Sequence, residues 1–434
     1  MPRASRKTAR MLAAGLSALV VLALTGTASR AATVIVPAQP GALAASVAKA
    51  QAGDRLVLAP GVHLGPVTLT RPLTIEGQPG AVIDGQGQGK VISVFAPDVT
   101  LRGLTLRNSG DRVAEFDGGI YAEKGSDRFV AENNHLDGTL FGIVVHGPQR
   151  AIVRNNLIRN RSDKYETDLG DGIYLWDSND DLIEGNDIKG GRDAIFSQAA
   201  HRNTIAHNRM VNTRFAIHYM YSNRNKVIGN YSAHNSVGFA LMYSNEIEVR
   251  NNVSIDDRDH GLMLHTAYHS VMTGNYVRGT HVKCIFVYTA AKNVISGNRV
   301  EDCPIGLHFT GGSEENEVFG NAFVNNQTQV KYTGTIYYEW SKDGRGNYWS
   351  DNTAFDMTGQ GTATTAYRPN SVMERLVWRY PLAKSLMSSP VMEALRFAQS
   401  QFPALMPGGV IDSHPLMAPP PLPADLPTLP ESGS

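Results

Sequence analysis

Through the middle of this 434-residue chain, short runs alternate apolar and polar positions with period two, each opened by a small residue. They include Gly142-Ile143-Val144-Val145, Gly172-Ile173-Tyr174-Leu175, Ala216-Ile217-His218-Tyr219, Gly261-Leu262-Met263-Leu264 and Gly306-Leu307-His308-Phe309. Runs of this length and period are strands with one buried face. Between them stand Asn134, Asn156, Asn186, Asn208, Asn230, Asn252, Asn275, Asn298 and Asn321, at intervals of 22 or 23 residues except for one of 30. A further strand precedes each asparagine, as in Asn225-Lys226-Val227-Ile228-Gly229-Asn230. Three short strands and three turns per unit of about 22 residues predict an all-β fold, a parallel β-helix, right-handed by the general preference of crossover connections. The asparagines are then stacked turn residues whose side-chain amides bond their copies in neighbouring coils.

The same pattern divides the chain. Arg3, Arg6, Lys7 and Arg10 precede an apolar run from Met11 to Leu24, and Ser29-Arg30-Ala31 fits a small-x-small cleavage site, so residues 1–31 read as a secretory signal peptide. Residues 32–350 read as the β-helix, with Gly41 to Ala50 as a short helix capping its open end. The 30-residue interval places an excess around Arg161 to Asp171, which should protrude as a loop carrying Asp163, Glu166, Asp168 and Asp171. Residues 351–417 lose the period and form an irregular and helical capping or docking segment. Within it Pro390 to Phe402 predicts an amphipathic helix that buries Val391, Leu395, Ala398 and Phe402. The proline-rich tail, 418–434, should be extended or disordered.

Composition narrows the partners. Removing residues 1–31 takes away five basic residues and no acidic ones, leaving 35 against 40, and this mild acidity argues against nucleic acid. No second apolar run reaches the roughly 18 residues of a membrane span, so membrane contact would come through partners. Export to an oxidising compartment would permit a bridge between Cys284 and Cys303, the only cysteines. Coil spacing of about 4.8 Å plus three residues along a strand, about 10 Å, nevertheless sets them too far apart unless a turn brings them back.

Aligning the small residues of successive coils yields two outward columns. The first reads Val144, Tyr174, Phe196, His218, Ala240, Met263, Phe286, His308; the second reads His146, Trp176, Gln198, Met220, Met242, His265, Tyr288, Thr310. Solvent-facing strand positions ordinarily carry Thr, Lys, Glu, Asn or Ser. His218, Met220, Met242, Met263 and His265, with His308 further along, instead supply thioether and imidazole groups, which suit Cu(I) and release it readily. The alternative is a second layer of packing beneath a loop. This alignment requires one extra residue to be absorbed in the turn Asp256-Asp257-Arg258, because a one-residue slip would turn the ligands inward. The acidic turn Asp256-Asp257-Arg258-Asp259-His260 also keeps open an enzyme reading, a uronate epimerase or lyase.

The coils, together with Gly346-Asn347-Tyr348-Trp349-Ser350-Asp351, Tyr380-Pro381, Ser389-Pro390, Gln401-Phe402-Pro403 and Pro415-Leu416-Met417, resemble the NosD family over essentially the whole mature chain. That resemblance implies a periplasmic, non-enzymatic accessory protein for assembling the copper centres of nitrous oxide reductase. It further implies work with the ATPase and permease subunits of an ABC transporter, and receipt of copper from a lipoprotein chaperone.

Overall fold

The computed structural model describes residues 31–428 apart from 333, 335, 371–376, 387–388 and 402–407. The signal-peptide expectation and the end of the tail therefore fall outside the described residues. The chain winds as a right-handed parallel β-helix of about 14 turns. Each regular coil contributes one strand to each of three parallel sheets, of 13, 13 and 12 strands. In one coil these are Lys226–Ile228 in the first sheet, Tyr231–Ala233 in the second and Val237–Met242 in the third. Inward Ile, Val, Leu and Phe side chains from all three sheets merge into one core, closed at the N-terminal end by the helix Ala42–Lys49 with Leu43 buried. Among the described residues no helix is long and apolar enough to cross a membrane.

The asparagines form a continuous buried ladder. Asn208 Nδ2 donates to Asn230 Oδ1 at 3.0 Å and to the Ile183 carbonyl at 2.9 Å, while its backbone N–H donates to the same Asn230 Oδ1 at 3.0 Å. Asn230 repeats this pattern onto Asn252 and the Ile205 carbonyl. Each rung thus satisfies a turn that the strand hydrogen bonds leave open. One rung more exists than the regular interval indicates: Asn347 accepts from Asn321 N–H and Nδ2, at a spacing of 26 residues. Its successor comes from far along the chain. Asp412 Oδ2 accepts from Asn347 N–H and from Trp349 Nε1, both at 2.7 Å.

Three expectations are corrected. Cys284 and Cys303 form a disulfide, with Cα atoms 5.8 Å apart. Cys303 occupies the inward corner position of its coil, where its N–H meets Asn326 Oδ1, and the corner folds it back over the start of the Lys283–Tyr288 strand. Spacing counted along a straight strand ignored that corner. We predict that the Cys284→Ala/Cys303→Ala variant loses about 3 kcal/mol in urea unfolding, since the bridge closes a loop of 19 residues. An unchanged midpoint would show that the core alone holds this corner. Second, the C-terminal helix is present as Pro390–Gln401, but Val391, expected to be buried, is 68% exposed, and among its described residues Met392 is buried instead. Third, Asp171 does not protrude; it is fully buried. The described part of the tail lies along the solenoid and turns at residues 424–426: Leu422 and Leu426 pack on Val253, Ile255 and Tyr276, and Asp425 accepts from Asn251 Nδ2 at 2.7 Å.

Candidate functional site

The third sheet carries the two outward columns in the register predicted from the small residues. Met220 pairs with Met242 and Met242 with His265; alongside, His218 pairs with Ala240 and Ala240 with Met263. The extra residue of this coil is taken up at Asp259, one step beyond the predicted turn, where the Ser236 carbonyl receives both Asp259 N–H and His260 N–H. The ligands therefore stay outward. Gly261 opens the strand because nothing larger fits: a Cβ there would stand 2.2 Å from Val277 Cγ1.

Adjacent strands lie about 4.8 Å apart, so Met242 is the neighbour of both Met220 and His265, while His218 and Met263 lie two residues from Met220 and His265 on the same strands. These five side chains form one patch on three strands. His308 is not brought into it. Phe286 intervenes between Met263 and His308, with the Phe286 and His308 rings 5.2 Å apart, so His308 stands two strands, about 10 Å, from Met263. Burial and the charges of Lys283, Lys331 and His260 push its pKa down to about 4. Burial likewise lowers that of His265, whose ring sits between Tyr243 at 5.1 Å and Tyr288 at 4.9 Å. Both shifts favour the neutral imidazole, the form that binds metal.

The second-layer reading holds for part of the stripe. Phe116 lies over Tyr121, Phe141, His146 and Tyr174, at ring separations of 5.1–6.3 Å, so the first coils of the stripe are covered. Met220 sits at the margin of this cluster. Met242, Met263 and His265 lie beyond it, half-buried, beside the exposed Tyr221, Tyr243 and Tyr288. Among the described residues no group of three or more His, Cys, Asp and Glu gathers to hold a metal, so any site on this face depends on thioether sulfur.

Sequence reasoning missed the charged row that starts these strands. His218 Nδ1 meets Asp193 Oδ2 at 3.0 Å, and Arg214 clamps the same carboxylate through Nε at 2.8 Å and Nη2 at 2.6 Å. One coil earlier Arg192 clamps Asp171 at 3.1 and 2.9 Å. Asp171 and Asp193 are both fully buried. A signal for them was available: Asp171 and Asp193, like Arg192 and Arg214, are separated by one 22-residue repeat. The long loop reaches this row, with Glu166 3.9 Å from Arg214, and is pinned by Arg161 and Lys164 to Asp111. It walls a groove lined by Asp111, Asp163, Tyr165 and Asp168.

Within the acidic turn Asp259 is exposed and His260 half-buried, whereas Asp257 is enclosed. Asp257 is buried and accepts from Ser232 Oγ at 2.7 Å, Ser254 Oγ at 2.6 Å and Asn235 N–H at 2.9 Å. It stacks in the corner position that Asn235 holds one coil earlier.

Comparison with known proteins agrees with this architecture. The family described as "Periplasmic copper-binding protein (NosD)" matches residues 159–354, and "Right handed beta helix region" matches residues 80–230. A protein of Pseudomonas aeruginosa named "Probable ABC transporter binding protein NosD" is 36% identical over 382 residues, covering 85% of this chain and 89% of that protein. Its namesake from Stutzerimonas stutzeri is 35% identical over 378 residues, covering 84% and 87%. Among solved structures, the Streptococcus pneumoniae surface adhesin PfbA superposes with a TM-score of 0.54 at 11% identity, covering 64% of this chain and 92% of that one, a likeness of fold alone.

Proposed function

The chain belongs to the NosD family, and from that membership we propose that it is the periplasmic binding component of an ABC transporter complex, handling Cu(I) for the copper centres of nitrous oxide reductase. Copper is its cargo. On this reading the ATPase and permease subunits, a copper chaperone lipoprotein and the reductase are its partners, and it is not an enzyme. Residues 1–31 direct export, 32–350 form the solenoid, 351–417 form its capping or docking segment, and 418–434 form the tail.

The observation that carries the copper reading is the patch of Met220, Met242, Met263, His218 and His265 on three adjacent strands. Thioethers and imidazoles together make a soft donor set. Such a set binds Cu(I) tightly enough to accept it and loosely enough to pass it on by ligand exchange. His308, two strands away, could serve a neighbouring position along the same stripe but not the same coordination sphere.

Titrating Cu(I) against the exported form, in competition with bicinchoninate, tests this. The Met220→Leu/Met242→Leu/Met263→Leu variant keeps the volume and apolar character of these positions and removes the sulfur. Its affinity is expected to fall by at least about 100-fold, or about 2.7 kcal/mol. Equal affinity in the two proteins would remove the stripe from the account.

A further inference from the structure

Two of the candidate histidines carry a ring nitrogen that is shut off from solvent and has no hydrogen-bond partner: Nε2 of His218 and Nδ1 of His308. A buried polar atom without a partner costs stability, and in a folded protein it points to a ligand that completes it. For His218 the surroundings also fix which nitrogen that is. Its other nitrogen, Nδ1, faces Asp193 Oδ2 at 3.0 Å. Asp193 is fully buried and held by two hydrogen bonds from Arg214, while its own backbone N–H is taken by Asp171 Oδ1 at 3.1 Å.

Both oxygens of Asp193 accept from the Arg214 guanidinium, Oδ1 from Nε and Oδ2 from Nη2, the paired geometry that a guanidinium makes with a carboxylate. An ionised carboxylate can only accept. Nδ1 must therefore be the donor, and in the neutral ring the lone pair then falls on Nε2. The plane of the ring is set as well, by Phe196 at 4.9 Å and by the edge-on Phe215 at 4.7 Å. A carboxylate that orients an imidazole through its distal nitrogen is the usual outer support of a metal-binding histidine.

We propose that Asp193, clamped by Arg214, is a positioning residue for the soft-metal patch: it holds His218 in the Nδ1–H tautomer, so that Nε2 is the atom offered to the cargo beside Met220. The assignment rests on the copper reading above and adds to it the residue that prepares one ligand before metal arrives. Glu166 reaches Arg214 from the long loop at 3.9 Å, which ties that loop to the same clamp.

The test uses the exported full-length chain with ¹⁵N-labelled histidine. The His218 signals are identified by their loss in His218→Gln. In the metal-free protein the expected spectrum is that of the Nδ1–H tautomer. In Asp193→Asn the amide can present N–H to the ring, so the tautomer should reverse to Nε2–H and Cu(I) affinity should fall by about 10- to 100-fold. Met242→Leu should lower affinity and leave the tautomer unchanged, which separates loss of a ligand from loss of its support.

An Nε2–H ring in the wild-type protein would overturn the proposal, and that measurement requires no variant to fold. So would an Asp193→Asn protein that keeps both the tautomer and the affinity of the wild type. Failure of the copper reading itself looks different: the wild-type protein would take up no Cu(I), and the proposal would fall with it.

Discussion

Asn230→Ala is expected to destabilise the solenoid by about 3–5 kcal/mol, although it changes no core residue and no exposed one. Asn230 accepts from Asn208 N–H and Nδ2, and it donates to the Ile205 carbonyl and to Asn252 Oδ1. Alanine leaves Asn208 N–H and the Ile205 carbonyl without the partners that Asn230 supplies, in a site closed to water. Each such orphan costs about 1–3 kcal/mol, and the space vacated by the amide adds to it. Because contacts in a stacked array run only between neighbouring coils, the damage should open the middle of the molecule before its ends. Urea unfolding followed by circular dichroism, with hydrogen exchange to locate the weakened coils, provides the check. A loss below about 1 kcal/mol would mean that the ladder decorates the turns without supporting them.

Asp257→Asn should act in the opposite direction, and only at neutral and higher pH. Burial pushes the Asp257 carboxyl up to about 6, outweighing the hydrogen bonds from Ser254, Ser232 and Asn235. A carboxyl whose folded pKa lies above its unfolded value near 3.8 binds its proton more tightly in the fold. Its contribution to stability is therefore complete below about pH 4 and is lost as pH rises through about 6. A shift of about two units corresponds to about 3 kcal/mol. Asparagine cannot ionise, and it already occupies this corner position at Asn235 and Asn326, where Oδ1 takes the N–H of the preceding coil. At pH 8 the variant should be more stable than the wild type by about 1–3 kcal/mol, with the difference closing near pH 4. Unfolding curves at pH 4, 6 and 8 would show it. A gain of the same size at all three would assign the effect to hydrogen bonding and not to charge.

Much of this architecture could be read from the chain because a solenoid copies one unit. A stacked rung must be the same small amide at a constant interval, so the ladder from Asn134 to Asn321 was visible directly, and with it the columns containing Met220, Met242 and His265. What escaped was whatever departs from the straight strand or the constant interval. Asn347 stands 26 residues after Asn321, because the last coil is longer. The bridge between Cys284 and Cys303 depends on a corner that linear spacing does not represent. In the C-terminal helix, Val391 and Met392 are adjacent and both apolar, so composition alone does not say which one is buried. Asp193 was missed for another reason. An acid before a small residue at a turn is ordinary turn chemistry, and only its distance to His218 and Arg214 shows that it supports a candidate ligand.

The ladder also has a direction. Every rung accepts at Oδ1 from the coil before and donates from Nδ2 toward the coil after, so the side-chain dipoles point the same way and their positive ends face the C-terminal end of the molecule. Hydrogen bonds in such a row polarise one another. A final asparagine would still hold out a donor to a further coil. Asp412 has no such donor. It closes the row with an accepting carboxyl at the positive end, and Gly346 makes room for it, since a Cβ there would lie against Asp412 Oδ1. The row that stacks the coils thus ends in a group that accepts and passes nothing on, leaving no template for a second copy of the chain to extend.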